Sequence, residues 1–231
     1  EAATAARGRF LAYLAHEVRG LVNSIGWGAR MMLDKEPHAS GDQIAGWIQS
    51  TADQTGRLLE NTLANERAMN QGIHLQPAAH DLRDWWQQTL APHRLLAAKK
   101  GLALVDVAPQ AARPLRFDAT RLSQVVNNLV GNAIKFTPQG QVSVTGQWMD
   151  EARQLHIAVA DTGPGITPQE LALLWEPYAQ GAAGRSAAEG AGLGLAITRQ
   201  IVVAMGGLIG TAPGATTGSC FTLKVPLEIA A

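Results

Sequence analysis

The chain of 231 residues has one cysteine, Cys220. A single thiol excludes an internal disulfide and a cysteine-rich metal centre. In a strand-like setting it reads as a small apolar filler rather than a nucleophile. Net charge is missing too: nineteen Lys and Arg balance nineteen Asp and Glu. A balanced chain carries no electrostatic footprint for nucleic acid or for a membrane surface. No apolar run approaches the ~20 residues of a bilayer span, no signal peptide is recognisable, and there is no internal repeat. The chain starts at Glu1 without a Met, so it reads as a piece of something longer. What remains is the composition of an ordinary globular protein, long enough for one large domain or two small ones.

The stretch FLAYLAHEVRGLVNSIGWGARMML, residues 10–33, has a helical period. Leu11, Leu14, Val18, Leu21, Ile25, Gly28 and Met32 alternate spacings of three and four, with Phe10, Val22 and Ala29 widening the stripe. With Leu11 at heptad position a, His16 falls at f, farthest from the seam. Gly20 falls at c on the same outer face. Taken alone, His16 reads as a solvated surface histidine. After DKEPHAS, Ser40 and Gln43 have capping-box spacing. Ile44, Ile48, Thr51, Thr55, Leu58 and Thr62 then repeat the seam, with Trp47, Leu59 and Leu63 beside it. Two such helices joined by a short polar loop make an antiparallel hairpin. One hairpin leaves its apolar stripe half covered, and two copies would close a four-helix bundle, which predicts a homodimer.

From MNQGIHLQP onward the pattern is mixed, which sets domain limits at 1–72 and 73–231. Asp81 can cap a helix through LRDWWQQTLAPHRLLAAKK, with lysines in its last turn and Gly101 beyond. LALVDV alternates as a strand. Asp118 can cap a second helix, ATRLSQVVNNLVGNAIKF. QVSVTGQW and QLHIAVAD read as strands, LGLAITRQIVVAMGG as a glycine-stopped helix, and SCFTLKVPL as a last strand. Residues 78–229 are therefore expected to form an α/β sandwich, helices against one sheet. The stretch 180–192, QGAAGRSAAEGAG, has little to bury and reads as flexible.

Three constellations carry candidate chemistry. Asn128 and Asn132 share a helix face, and Lys135 follows. Amide oxygens are hard ligands that suit Mg²⁺ and a lysine can neutralise phosphate, although the trio also reads as a polar helix face. In DTGPGI a strand ends at Asp161, and Gly163 and Gly165 permit tight turns. A strand-end carboxylate can accept from a purine amino group, or can simply hold a turn. In GAGLGLAI, Gly190, Gly192 and Gly194 stand at the mouth of a helix, where bare amides can cradle phosphate.

In their order, these segments resemble the catalytic core of bacterial sensor histidine kinases over nearly the whole length. FLAYLAHEVRGLVNSI is similar to the phospho-acceptor box, NNLVGNAIKFT to the asparagine box and DTGPGI to the first glycine box. WEPY resembles the aromatic box, GAGLGLAI the second glycine box, and GSCF stands where a last glycine motif is expected. The resemblance implies a dimerising phosphotransfer hairpin followed by a Bergerat-type α/β sandwich that binds ATP, hence an α+β fold overall. It also implies that His16 is the phospho-acceptor and Glu17 its general base, with ATP and Mg²⁺ as cofactors. By the same resemblance Asn128 and Asn132 hold Mg²⁺, Lys135 meets phosphate and Asp161 reads adenine. Gly163 and Gly165 belong to the nucleotide site, and Gly190, Gly192 and Gly194 anchor a lid of about residues 176–192. An outward position f suits a histidine that must meet both an ATP domain and a receiver domain.

The expected activity is autophosphorylation on His16 and transfer to an aspartate of a response-regulator receiver domain. The expected setting is cytoplasmic, free or as the inner part of a membrane-anchored receptor, with the sensor domain outside this chain. No nucleic acid and no membrane insertion by this fragment are expected. His38, His74, His80, His93 and His156 match no motif and are taken as structural or solvated. Three positions depart from the family pattern: Ala15 for a serine, Leu21 for a proline, and Gly20 for a Thr or Asn. The last removes the side chain that in the family positions a water for dephosphorylating the regulator, so weak phosphatase activity is expected. The alternatives are a non-catalytic dimeric module that regulates another kinase, and a chaperone- or topoisomerase-type ATPase on the same nucleotide fold. The intact Asn132, Asp161 and glycines weigh against the first, and the His-Glu hairpin against the second.

Overall fold

A computed structural model of the chain describes residues 18–20, 22–27, 29–30, 43–52, 73–177, 193–213 and 218–230. The chain divides into two units, Glu1–Gly72 and Ile73–Ala231. In the first, residues 18–20, 22–27, 29–30 and 43–52 are helical. Ile44 and Thr51 are buried, and Val18 and Ile25 partly so. The rings of Trp27 and Trp47 meet edge to face, 6.0 Å apart at 77°. Val22 and Ala29, expected to widen the seam, are exposed in the single chain. His16, Glu17, Leu21, Gly28 and the hairpin loop lie outside the described residues.

In the second unit, helix α1 (Leu82–Lys99) begins at Asp81, whose Oδ1 accepts from the amides of Arg83 and Asp84, each at 2.9 Å. Leu82, Trp85, Trp86, Leu90, His93 and Ala97 form its buried face. Its end is closed by Gly101 at φ 73°, in left-handed backbone that glycine adopts without strain. Helix α2 (Ala119–Phe136) starts at the buried Asp118. Its buried positions are Leu122, Val125, Val126, Leu129, Val130, Ala133 and Ile134, at spacings of three, one, three, one, three and one. That is an apolar stripe wide enough to pack on two neighbours.

The remaining elements are β1 (Ala78–His80), β2 (Ala103–Val107), β3 (Leu115–Phe117), β4 (Gln141–Met149), β5 (Gln154–Asp161), α3 (Pro168–Leu173), α4 (Gly194–Ala204), β6 (Leu208–Pro213), β7 (Ser219–Pro226) and β8 (Glu228–Ile229). The main sheet has the order β2-β4-β5-β7-β6. Among the described strands only β2 and β4 run parallel, and the long crossover such a pair requires carries β3 and α2. Val142 and Val144, then Leu155, Ile157 and Val159, then Phe221, Leu223 and Val225 point to one face and are buried. Helices α2 and α4 pack there, and α1 packs against α2 and β2.

The expectation of one sheet needs correction. A second sheet, β1-β3-β8, joins the two ends of the unit. Its strands are too short to display a period of two, so alternation could not reveal them. No described helix is long and apolar enough to cross a membrane.

Candidate functional site

The C-terminal end of α2 and the turn after β5 meet. Asp161 ends β5, and its Oδ1 accepts from the amide of Gly163 at 2.8 Å. A Cβ on Gly163 would stand 2.9 Å from that oxygen and 3.0 Å from the carbonyl of Phe136, so the turn needs a residue without one. Thr137 just after the helix is fully buried, its hydroxyl donating to the Ala133 carbonyl at 2.7 Å. Gly165 and Gly218 both have left-handed backbone, φ 80° and 79°. A Cβ on Gly165 would lie 3.0 Å from the carbonyl of Gly218, and one on Gly218 would collide with the carbonyl of Asp161. The turn bearing Gly163 and Gly165, the Gly218 segment and the end of α2 thus meet within van der Waals distance at one rim of the sheet.

Asn128, Asn132 and Lys135 lie on α2, all half-buried. Asn128 Nδ2 donates to the buried hydroxyl of Thr198 at 2.8 Å, and its Oδ1 faces Gly194 at the first turn of α4, where a Cβ would collide with it. Gly194 therefore has a packing reason that the motif reading did not supply: it lets the Asn128 amide reach the helix. The Lys135 ammonium lies 5.2 Å from the ring centroid of Phe136, a cation–π contact that orients a flexible side chain. Among the described residues no group of three or more His, Cys, Asp or Glu could hold a metal ion. A divalent ion here would depend on amide oxygens and on its own anionic ligand.

Trp175 of the WEPY segment meets Phe221 of β7 edge to face, 6.2 Å apart at 88°. This joins the aromatic box to the strand that follows Gly218. Helix α3, just before it, was missed. Its signal was present in TPQE: Thr167 caps the helix, Glu170 reaches back to the Thr167 amide at 2.9 Å, and Pro168 opens the first turn.

Of the proposed site residues, the structure brings Asp161 and Gly163 together with the α2 terminus, Gly165 with Gly218, and Asn128 with Gly194. His16, Glu17, Gly190, Gly192 and the stretch 180–192 lie outside the described residues. Cys220 is in β7 and half-buried; burial and the neighbouring Asp161 charge push its thiol pKa up, away from nucleophile behaviour. His93 is buried, with Nε2 2.9 Å from Asn127 Oδ1, a structural histidine. The His80 ring lies 5.2 Å from that of Phe117, tilted at 56°. Burial, then the Lys224 charge, lowers the pKa of His156. Lys100, absent from every motif, donates to the carbonyls of Ile134 and Lys135.

Comparison with known proteins agrees with this geometry. Residues 117–229 match the family described as histidine kinase-, DNA gyrase B- and HSP90-like ATPase. Histidine protein kinase DivJ of Caulobacter vibrioides is 32% identical over all of this chain and 39% of its own length. Aerobic respiration control sensor protein ArcB of Escherichia coli is 32% identical over 94% of this chain and 28% of its own. The crystal structure of full-length ShkA in complex with AMPPNP superposes with a TM-score of 0.70 at 30% identity, covering 96% of this chain and 46% of that one. The chain thus spans less than half the length of these relatives. Its second unit has the α/β ATPase fold of histidine kinase catalytic domains.

Proposed function

We propose that this chain, whose homologues are histidine protein kinases and sensor proteins and which carries their ATPase domain, is the core of a two-component sensor kinase. It binds ATP with Mg²⁺, phosphorylates His16 and passes the phosphoryl group to an aspartate of a receiver domain. It works as a homodimer whose hairpins form a four-helix bundle, on the cytoplasmic side where ATP is available. The observation that carries this reading is the meeting of the 161–165 turn and the Gly218 segment with the end of α2. The glycines let these backbone segments pack against one another, and that packing holds the turn on which the Asp161 carboxylate stands.

The residues present fit the nucleotide. Asp161 is acceptor-only when ionised and has capacity beyond its bond to Gly163, so it can receive an exocyclic amino group. Asn128 and Asn132 offer hard oxygens to Mg²⁺, and Lys135 offers charge to phosphate. Bound ATP supplies the γ-phosphoryl group. The unprotonated ring nitrogen of His16 forms the N–P bond as the β–γ P–O bond breaks, and its electron pair leaves with ADP. Glu17 takes the proton released from the other ring nitrogen. The receiver carboxylate then attacks the same phosphorus, and the imidazole leaves.

The test is incubation with γ-labelled ATP and Mg²⁺. An acid-labile, base-stable label that vanishes in His16→Gln, with nucleotide affinity kept, is the expected result. Undiminished labelling of His16→Gln would remove the acceptor assignment.

A further inference from the structure

We infer that Lys100 is a positioning residue for the nucleotide: a cationic clamp that holds the last turn of α2 against the Asp161 turn. The inference rests on the nucleotide-binding reading of that turn.

A helix ends with carbonyls that have no partner inside it. In α2 the Ala133 carbonyl is taken by the Thr137 amide at 3.1 Å and the Thr137 hydroxyl at 2.7 Å. The next two carbonyls, of Ile134 and Lys135, both accept from Lys100 Nζ, at 2.6 and 2.7 Å. The third, of Phe136, faces the Gly163 turn. One turn of helix thus presents carbonyls to the lysine and to the glycine turn that Asp161 holds. An ammonium group has three donors and can serve two acceptors at once. Its charge also suits the negative end of the helix dipole.

Lys100 does not reach out from a loose loop. Its amide donates to the carbonyls of Leu96 and Ala97 at 3.2 and 3.0 Å, and Leu102 returns to Ala97 at 2.9 Å. The side chain therefore leaves from the closed end of α1. Lys135 is the basic residue of the clamped turn, and the Asp161 turn abuts the Phe136 carbonyl one residue on. Lys100 acts through backbone, not by touching ligand, so its loss weakens binding and spares the chemical step.

The test uses the full chain with Lys100→Met, Lys100→Arg and, as a neighbour control, Lys99→Met. Affinity for a non-hydrolysable ATP analogue with Mg²⁺, the KM for ATP, the saturating rate and the thermal midpoint are measured. Lys100→Met is expected to weaken affinity and raise KM roughly ten-fold while the saturating rate stays within about two-fold. Lys100→Arg should recover most of that loss, and Lys99→Met should match wild type. A Lys100→Met chain with wild-type affinity overturns the clamp, including the case in which only its melting point falls. If the wild-type chain itself binds no analogue, the nucleotide reading fails and takes the clamp with it, a result distinct from failure of the variant alone.

Discussion

Asp161 has a structural task and a proposed recognition task, and the two can be separated. Its Oδ1 accepts from Gly163 at 2.8 Å, a bond that an asparagine oxygen can also accept. Asp161→Asn should therefore keep the turn. It presents a donor and loses a charge where the proposed adenine amino group needs an acceptor. A penalty of about 1–3 kcal/mol is expected, roughly five- to 150-fold in affinity for an ATP analogue. Calorimetry that finds equal affinity for this variant and wild type would remove Asp161 from the pocket.

Between α1 and β2, Arg94 and Asp106 form a two-pronged ion pair. Nη2 lies 2.9 Å from one carboxylate oxygen and Nε 3.1 Å from the other, while Trp86 Nε1 adds a bond at 3.2 Å. The Arg94 hydrogen bonds hold Asp106 below the usual carboxylate range; burial opposes them, and Trp86 and the Arg94 charge assist. A depressed folded-state pKa means stability that is fully present above the unfolded value of about 3.9 and fades as pH falls through the folded value. The Arg94 side chain is 41% exposed, so solvent screening limits the pair to about 0.5–1 kcal/mol. Asp106→Asn should lose about that much at pH 7 and progressively less as pH falls below about 4. Urea unfolding across that pH range checks this; a deficit that does not shrink with falling pH would assign the effect to packing.

Much of the element list was legible in the residues. Asp81 and Asp118 each precede a periodic apolar run, and each caps the helix that follows. The alternation in β4, β5 and β7 marks strands with one buried face. What was not legible has physical reasons. β1, β3 and β8 span two or three residues, less than one cycle of any pattern. α3 buries no residue, so it has no apolar stripe, and only its capping box betrays it. The parallel pairing of β2 with β4 is a tertiary choice that local periodicity does not encode. Motif order located Asp161 and the glycines. It could not locate Lys100, because a side chain that serves backbone carbonyls 34 and 35 residues away leaves no local spacing to read.

For the whole molecule, Gly20 bears on how a signal would end. It is exposed on its helix, and a Cβ there would meet nothing within 4 Å. Its carbonyl accepts from Ser24 Oγ at 3.0 Å, a backbone bond that a new side chain leaves in place. Without a side chain four residues after His16, nothing at this position can hold an attacking water. The wild-type chain is expected to accelerate decay of its phosphorylated regulator only weakly. Gly20→Thr should raise that rate and also stabilise the helix by a few tenths of a kcal/mol. Decay of purified phospho-regulator, with ADP absent to exclude back-transfer, checks this. Strong acceleration by wild type would contradict it.

The two ends of the second unit share one small sheet. Its first and last strands, β1 and β8, flank β3, and Asp118, which caps α2, also grips the amide of Gln76 at 2.8 Å. The Asp161 turn abuts the opposite end of α2, eighteen residues away. At 1.5 Å per residue that helix is about 27 Å long. It is a strut: Gln76, near the unit's entry, is tied to one end and the Asp161 turn abuts the other, and the bonds of Asn128 to Thr198 and of Lys100 to the Ile134 and Lys135 carbonyls fix the span between them.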